Sequence, residues 1–286
     1  MHKLFLIFIF IHTYIFANIN IVVSILPQKT FLEALGGDKV NITLMVQPGN
    51  SPHTYEPKPS QMKAVAKAAL YFAIDVEFEH VWLSRFVSHN KDMHIINTDK
   101  DIEKIQMKEE KHSSHHDDHE CHHHKGTDPH IWTSPKNVKI IVQNMYDALI
   151  SYDKENMPYY KKNLDTFLSS IDQTDKTIKS LLSTLKESRT FMVFHPSWGY
   201  FAKDYNLKQI AVEVEGKSPK PREIIKYIKE AKVAKVTAIF TQAEFSDSSA
   251  KIIAKELNIP VIKVSPMDAK WSKNLINIAK AIAGKK

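Results

Sequence analysis

From residue 18 onward, short apolar runs alternate with longer segments in which apolar residues recur every three or four positions. The short runs read as strands and the longer periodicity as amphipathic helices, so the alternation predicts a parallel α/β sheet. In the first half the strands are INIVVSI (19–25), NITLMV (41–46), YFAI (71–74) and MHII (93–96). Between them, QKTFLEALGG (28–37) is a helix stopped by glycine. SQMKAVAKAAL (60–70) is a helix capped by Ser60, and EFEHVWLSRFV (77–87) is a third helix.

Residues 97–133 have no apolar periodicity and read as a long loop. The pattern then turns helical for an unusual length. SPKNVKIIVQNMYDALISYD (134–153) opens with Ser134 as N-cap and Pro135 at the first helical position, where its missing N–H costs nothing. The next segment (155–187) keeps Leu164, Phe167, Leu168, Ile171, Ile178, Leu181, Leu182 and Leu185 in helical register. A helix of roughly 30 residues would be about 45 Å long, more than the width of one small domain. A second unit repeats the first, with strands TFMVF (190–194), KQIAV (208–212), VTAIF (236–240) and PVIKV (260–264) and helices near 197–205, 221–232, 246–257 and 271–283. The expected architecture is two α/β lobes, each with a four-stranded parallel sheet flanked by helices, joined by a long rigid helix. The lobes take residues 18–150 and 189–286, with the spine at 151–188.

The N-terminus changes the picture. Residues 1–17 carry one cation, Lys3, then an apolar stretch from Leu4 to Phe16 and a small residue, Ala17. That is the layout of a secretory signal peptide, too short to span a bilayer. With no cysteine after the apolar run to carry a lipid, the expectation is an exported protein of a Gram-negative periplasm. The formal charge of +7 becomes +6 over 269 residues once Lys3 is removed. It is spread along the chain with no basic block interleaved with aromatics, so nucleic acid is not expected as a partner. A single cysteine cannot form an internal disulfide, and the fold must rest on its core.

The candidate chemistry lies in the histidines. KHSSHHDDHECHHHKGTDPHIW (111–132) holds eight of the chain's fifteen. Most fall in a polar stretch, 108–127, that cannot bury enough apolar surface to offset its ordering entropy. It reads as a collector of metal ions rather than as the site itself. His80 and His89 on a helix and His94 at a strand read as structural or surface residues. Three others share one kind of address. His53 follows the second strand, His130 precedes the spine, and His195 ends the first strand of the second lobe, each beside a proline. Ligands of open α/β sheets bind beyond the carboxyl ends of the strands, so His53 and His195 would meet at the lobe interface.

The stretches PGNSPHTYEPKPSQMKAVAKAALYFAIDVEFEHVW, DPHIWTSPKN and FHPSWGYFAKDYNL resemble the metal-binding solute receptors of bacterial ABC transporters, specifically the zinc-binding ZnuA type. The resemblance covers essentially the whole chain after residue 17. It implies two α/β lobes around a rigid helix, with His53, His130 and His195 as ligands of one metal ion between them. It also implies delivery to an inner-membrane ABC permease and its cytoplasmic ATPase by a monomer. Manganese-specific relatives place a glutamate where this chain has His195, and imidazole suits zinc while manganese prefers oxygen. Zn2+, as the transported ligand, is therefore the expected cargo. Two departures are visible. Pro52 stands where some zinc members have an acidic residue, and Ser265 or Pro266 stands where many members carry an aspartate after the last strand, with Asp268 two or three residues later in IKVSPMDAKW. Asp268 or a water is expected as the fourth ligand. The rival readings are a manganese receptor of the same family, a zinc-dependent adhesin, a periplasmic zinc store and a zinc enzyme. An enzyme would need a general base, and no HExxH or comparable motif is present.

Overall fold

The computed structural model describes residues 18–106, 126–183, 185, 189–213, 219–242 and 245–285. The first lobe is built on β1 (Ile19–Val23), β2 (Val40–Leu44), β3 (Leu70–Ala73) and β4 (His94–Asn97), all parallel in the order β2-β1-β3-β4. The second repeats it with β5 (Thr190–Val193), β6 (Lys208–Ala211), β7 (Ile239–Thr241) and β8 (Val261–Lys263), parallel in the order β6-β5-β7-β8. In each sheet the strand order reverses beside the first strand, which opens a crevice at its carboxyl edge.

The helices of the first lobe are α1 (Leu26–Gly36), α2 (Pro59–Val65) and α3 (Glu77–His89). Helix α1 ends as expected at glycine, with Gly37 at φ +52°. The expected Ser60 cap is corrected. Helix α2 starts at Pro59, with its cap at Lys58 two residues before Ser60, and stops at Val65 rather than at residue 70. Pro59 fits only a first helical turn. The side chain of Gln61 then reaches back to accept the Lys58 N–H at 2.8 Å, so a serine cap is not needed. At the far end Asn90 Nδ2 donates to the carbonyls of Val65 and Ala68, at 2.8 and 2.9 Å, and turns the chain into β3.

Helix α4 (Pro135–Tyr152) has the expected cap, Ser134 Oγ accepting the Asn137 N–H at 3.1 Å. The spine, α5 (Met157–Leu182), is shorter than expected at 26 residues, about 39 Å. Pro158 sets its start. It packs against α1 and α4 on one side and α9 (Trp271–Ile282) on the other, so it runs along both lobes. Its buried Leu164, Ile171, Ile178 and Leu182 join one core that includes Val23 and Phe72 of the first sheet and Phe191 and Phe240 of the second. The alternate face of β5, Met192 followed by Phe194 beyond the strand end, packs into a separate cluster with α7 (Pro221–Val233) and α8 (Ser248–Leu257). Two tryptophans lock the lobes: Trp132 Nε1 donates to Pro266 O at 2.8 Å, and Trp271 Nε1 donates to Trp132 O at 2.7 Å.

The stems of the long loop are tied by an antiparallel bridge between Gln106 and Thr127, and Asp128 N–H donates to Ile105 O at 2.8 Å. Most of the histidine run, and the expected signal peptide at 1–17, lie outside the described residues. Among the described residues no helix is long and apolar enough to cross a membrane.

Candidate metal centre

Three sheet-edge segments bring His53, His130 and His195 together. His53 sits in the loop between β2 and α2, and His195 two residues past β5. His130 precedes the turn Ile131–Thr133 that leads into α4. The ring of His195 is the hub. Its centroid lies 5.5 Å from that of His53 at 77°, and 5.4 Å from that of His130 at 75°. Phe245 stacks on its other side at 4.7 Å and fixes the plane of the ring.

Each imidazole presents its Nδ1 to a carboxylate. His130 Nδ1 is 2.8 Å from Asp128 Oδ1, His195 Nδ1 is 3.0 Å from Glu213 Oε2, and His53 Nδ1 is 3.2 Å from Glu77 Oε1. A carboxylate accepting from Nδ1–H leaves the lone pair on Nε2 and makes that nitrogen a better metal donor. Nε2 is thus the available donor of each ring. In His195 it is buried without a hydrogen-bond partner, one of two such side-chain atoms among the described residues. An unsatisfied buried nitrogen is costly, and a cation is the partner its lone pair fits.

Two of the pairs are dry and one is wet. Side-chain exposure is 6% and 7% for His130 and Asp128, and 8% and 5% for His195 and Glu213. For His53 and Glu77 it is 31% and 41%. The proton affinities follow. The hydrogen bond His53 gives to Glu77 raises the ring above 6.5 against the opposing effect of burial, whereas burial lowers His195 despite Glu213. Burial works to raise Glu77, but the imidazole of His53 holds it down at about 2.

Among the described residues no three His, Cys, Asp or Glu side chains already grip a common point as a metal would require. Two of the ring spacings, 5.5 Å from His195 to His53 and 5.4 Å from His195 to His130, nonetheless lie close to the ~5.2 Å that two imidazoles sharing a tetrahedral zinc would adopt at the usual Zn–N distance. The two close ring pairs and the orphaned nitrogen place His195 at the centre of the candidate site. Asp268 is not brought to this trio. It is exposed on the turn between β8 and α9, where its carboxylate accepts the Lys270 N–H at 2.7 Å. The neighbouring Pro266 carbonyl is held by Trp132, and Asn274 Nδ2 holds Ser265 O at 2.7 Å, which fixes that turn.

Sequence reasoning missed Glu77, Asp128 and Glu213. The available signal was positional: Glu77 and Glu213 follow β3 and β6 at the same sheet edges as the histidines, and Asp128 stands two residues before His130.

The family model of the zinc-uptake complex component A, periplasmic (ZnuA), matches residues 21–283. The zinc-binding lipoprotein AdcA of Streptococcus pneumoniae is 28% identical over 276 residues, covering 91% of this chain. The chain spans only 54% of AdcA, about half its length. The manganese ABC transporter substrate-binding lipoprotein scaA of Streptococcus gordonii is 27% identical over 259 residues, 86% of this chain and 78% of its own. A crystal structure of ZnuA superposes with a TM-score of 0.85 at 37% identity, covering 94% of this chain and 99% of that one.

Proposed function

This chain belongs to the ZnuA family, and from that premise we propose that it is a receptor that captures one zinc ion between its lobes and hands it to an ABC transporter for import. The observation that carries the reading is the set of three carboxylate-backed imidazoles with an orphaned Nε2 on the central ring. His53, His130 and His195 supply the ligands, and water takes the fourth position, since Asp268 faces solvent. Three neutral nitrogens and one oxygen make a normal tetrahedral zinc site.

Manganese is the second reading, favoured by the name of the streptococcal relative scaA. The donors favour zinc, because manganese prefers harder oxygen ligands and the carboxylates paired with the three rings are engaged at Nδ1. The receptor works outside the cytoplasm, in the periplasm, as a monomer. It is divided as lobe 18–150, spine 151–188 and lobe 189–286. Its partners are an inner-membrane permease with a cytoplasmic ATPase, and it carries out no reaction on the metal. The histidine run at 108–127 gathers ions around the site.

Calorimetric titration tests this directly. One tight zinc site is expected, and His195→Ala should weaken it at least about tenfold through loss of a ligand. Unchanged zinc affinity in His195→Ala would remove the interface site. Manganese that displaces bound zinc at comparable concentration would establish the second reading.

A further inference from the structure

We propose that Asp128 is a positioning residue through which the second lobe orients His130, so that metal affinity depends on how the lobes are seated. This rests on His130 being a ligand. Asp128 Oδ1 accepts both from the His130 N–H at 2.9 Å and from its Nδ1 at 2.8 Å, which fixes backbone and ring together. The other side of Asp128 belongs to α6 (Gly199–Asp204), in the lobe that carries His195. The Tyr200 hydroxyl donates to Asp128 O at 2.8 Å and accepts the Ile105 N–H at 3.1 Å. Gly199 lies flush against the carboxylate, so that a Cβ there would stand 2.5 Å from Oδ2. Farther along α6, Asp204 accepts from Ser134 Oγ, the cap of α4.

His130 therefore belongs to the first lobe by chain position, yet the group that aims its ring is boxed in by the second. A displacement of α6 reaches the Asp128 carboxylate directly. Oriented outer-shell carboxylates alter metal affinity by about 10–100-fold when lost, and this pair is buried on both sides.

The test is Gly199→Ala, which alters no charge, no ligand and no hydrogen-bonding group. The atom it meets is the free end of the Asp128 side chain, so the carboxylate gives way rather than the helix. Alanine also favours helix over glycine, so a purely structural role predicts a thermal midpoint of the metal-free protein that is unchanged or raised, with zinc affinity intact. The expected result is that midpoint together with zinc binding about tenfold weaker. In an Asp128→Asn background the same change should have little further effect. Wild-type affinity in Gly199→Ala, or penalties that add in full in the double variant, would overturn the proposal. Should Gly199→Ala not fold, Tyr200→Phe, which removes the hydroxyl's ties to Asp128 O and to the Ile105 N–H, should likewise weaken zinc binding, and wild-type affinity there would overturn the proposal equally. Zinc binding unchanged in His130→Ala would instead refute the ligand assignment beneath it.

Discussion

At the scale of single residues the site is three copies of one device, a carboxylate behind an imidazole, set at two levels of hydration. The wet copy governs proton competition. Glu77 raises His53 above 6.5, so the proton on that ring must leave before a metal can bind there. As pH falls through the raised value His53 charges, and zinc affinity should drop from a pH already above 6.5. His195, lowered by burial, stays neutral until more acidic pH and does not initiate the loss. Glu77→Gln removes the raising partner, so the drop should move to lower pH. Zinc titrations between about pH 5.5 and 8 check this, and coincident profiles for the two proteins would refute it. The histidines were legible because each imidazole stood out beside a proline, His53 and His195 after strand ends and His130 ahead of α4. The carboxylates were not, since Glu77 and Glu213 are two acidic residues among many and only folding selects them. For Asp268 the structure adds a contact that a linear register cannot show, the Lys270 N–H donating to its Oδ1.

At the scale of elements, two turns carry the consequences. Glu79, in the first turn of α3, is buried and accepts from Ser24 Oγ, from the Ile74 N–H at 3.0 Å and from the Asp75 N–H at 2.7 Å. It thereby holds the turn, with Asp75 at φ +63°, from which Glu77 reaches His53. Burial raises its carboxyl from 4.5 to about 7, outweighing these hydrogen bonds. A raised folded value means that the folded state holds the proton more tightly, so the stabilisation is complete below pH 4.5 and fades as pH rises through 7. Glu79→Gln should therefore gain stability relative to wild type across that window. Denaturant midpoints at several pH values give the comparison, and a relative loss on going up in pH would show the sign to be wrong. The second turn is at Gly37, whose φ of +52° and closeness to the Tyr159 hydroxyl of α5 both exclude a side chain. Gly37→Ala should cost about 1–3 kcal/mol in equilibrium unfolding; a neutral result would mean that the turn relaxes freely. Glycine made the end of α1 readable from sequence, while α2 was misread because a glutamine, not the serine, satisfies its first turn.

At the scale of the molecule, the periodicity revealed the two lobes and the spine, because core burial imposes the same period on every turn of α5. It could not reveal how firmly the lobes are joined. That firmness comes from a core shared through α5 and α9 and from the hydrogen bonds that Trp132 gives to Pro266 O and Trp271 gives to Trp132 O. Lobes fastened in this way are not free to swing apart as rigid bodies, so the radius of gyration from small-angle scattering should be the same with and without zinc. The same framework decides what the histidine run is for. Its flanks are tied at Gln106 and Thr127, and the tie continues through Asp128 to Tyr200 and His130. The contacts that orient His130 thus lie outside the loop which that bridge closes. Removing residues 112–124, within the loop, takes away seven histidines and leaves the three-imidazole site its full set of supports. Calorimetry on that deletion should show fewer zinc ions bound in total and one tight site unchanged. Disappearance of the tight site would make the run itself the receptor, and the imidazoles at the lobe interface a structural cluster.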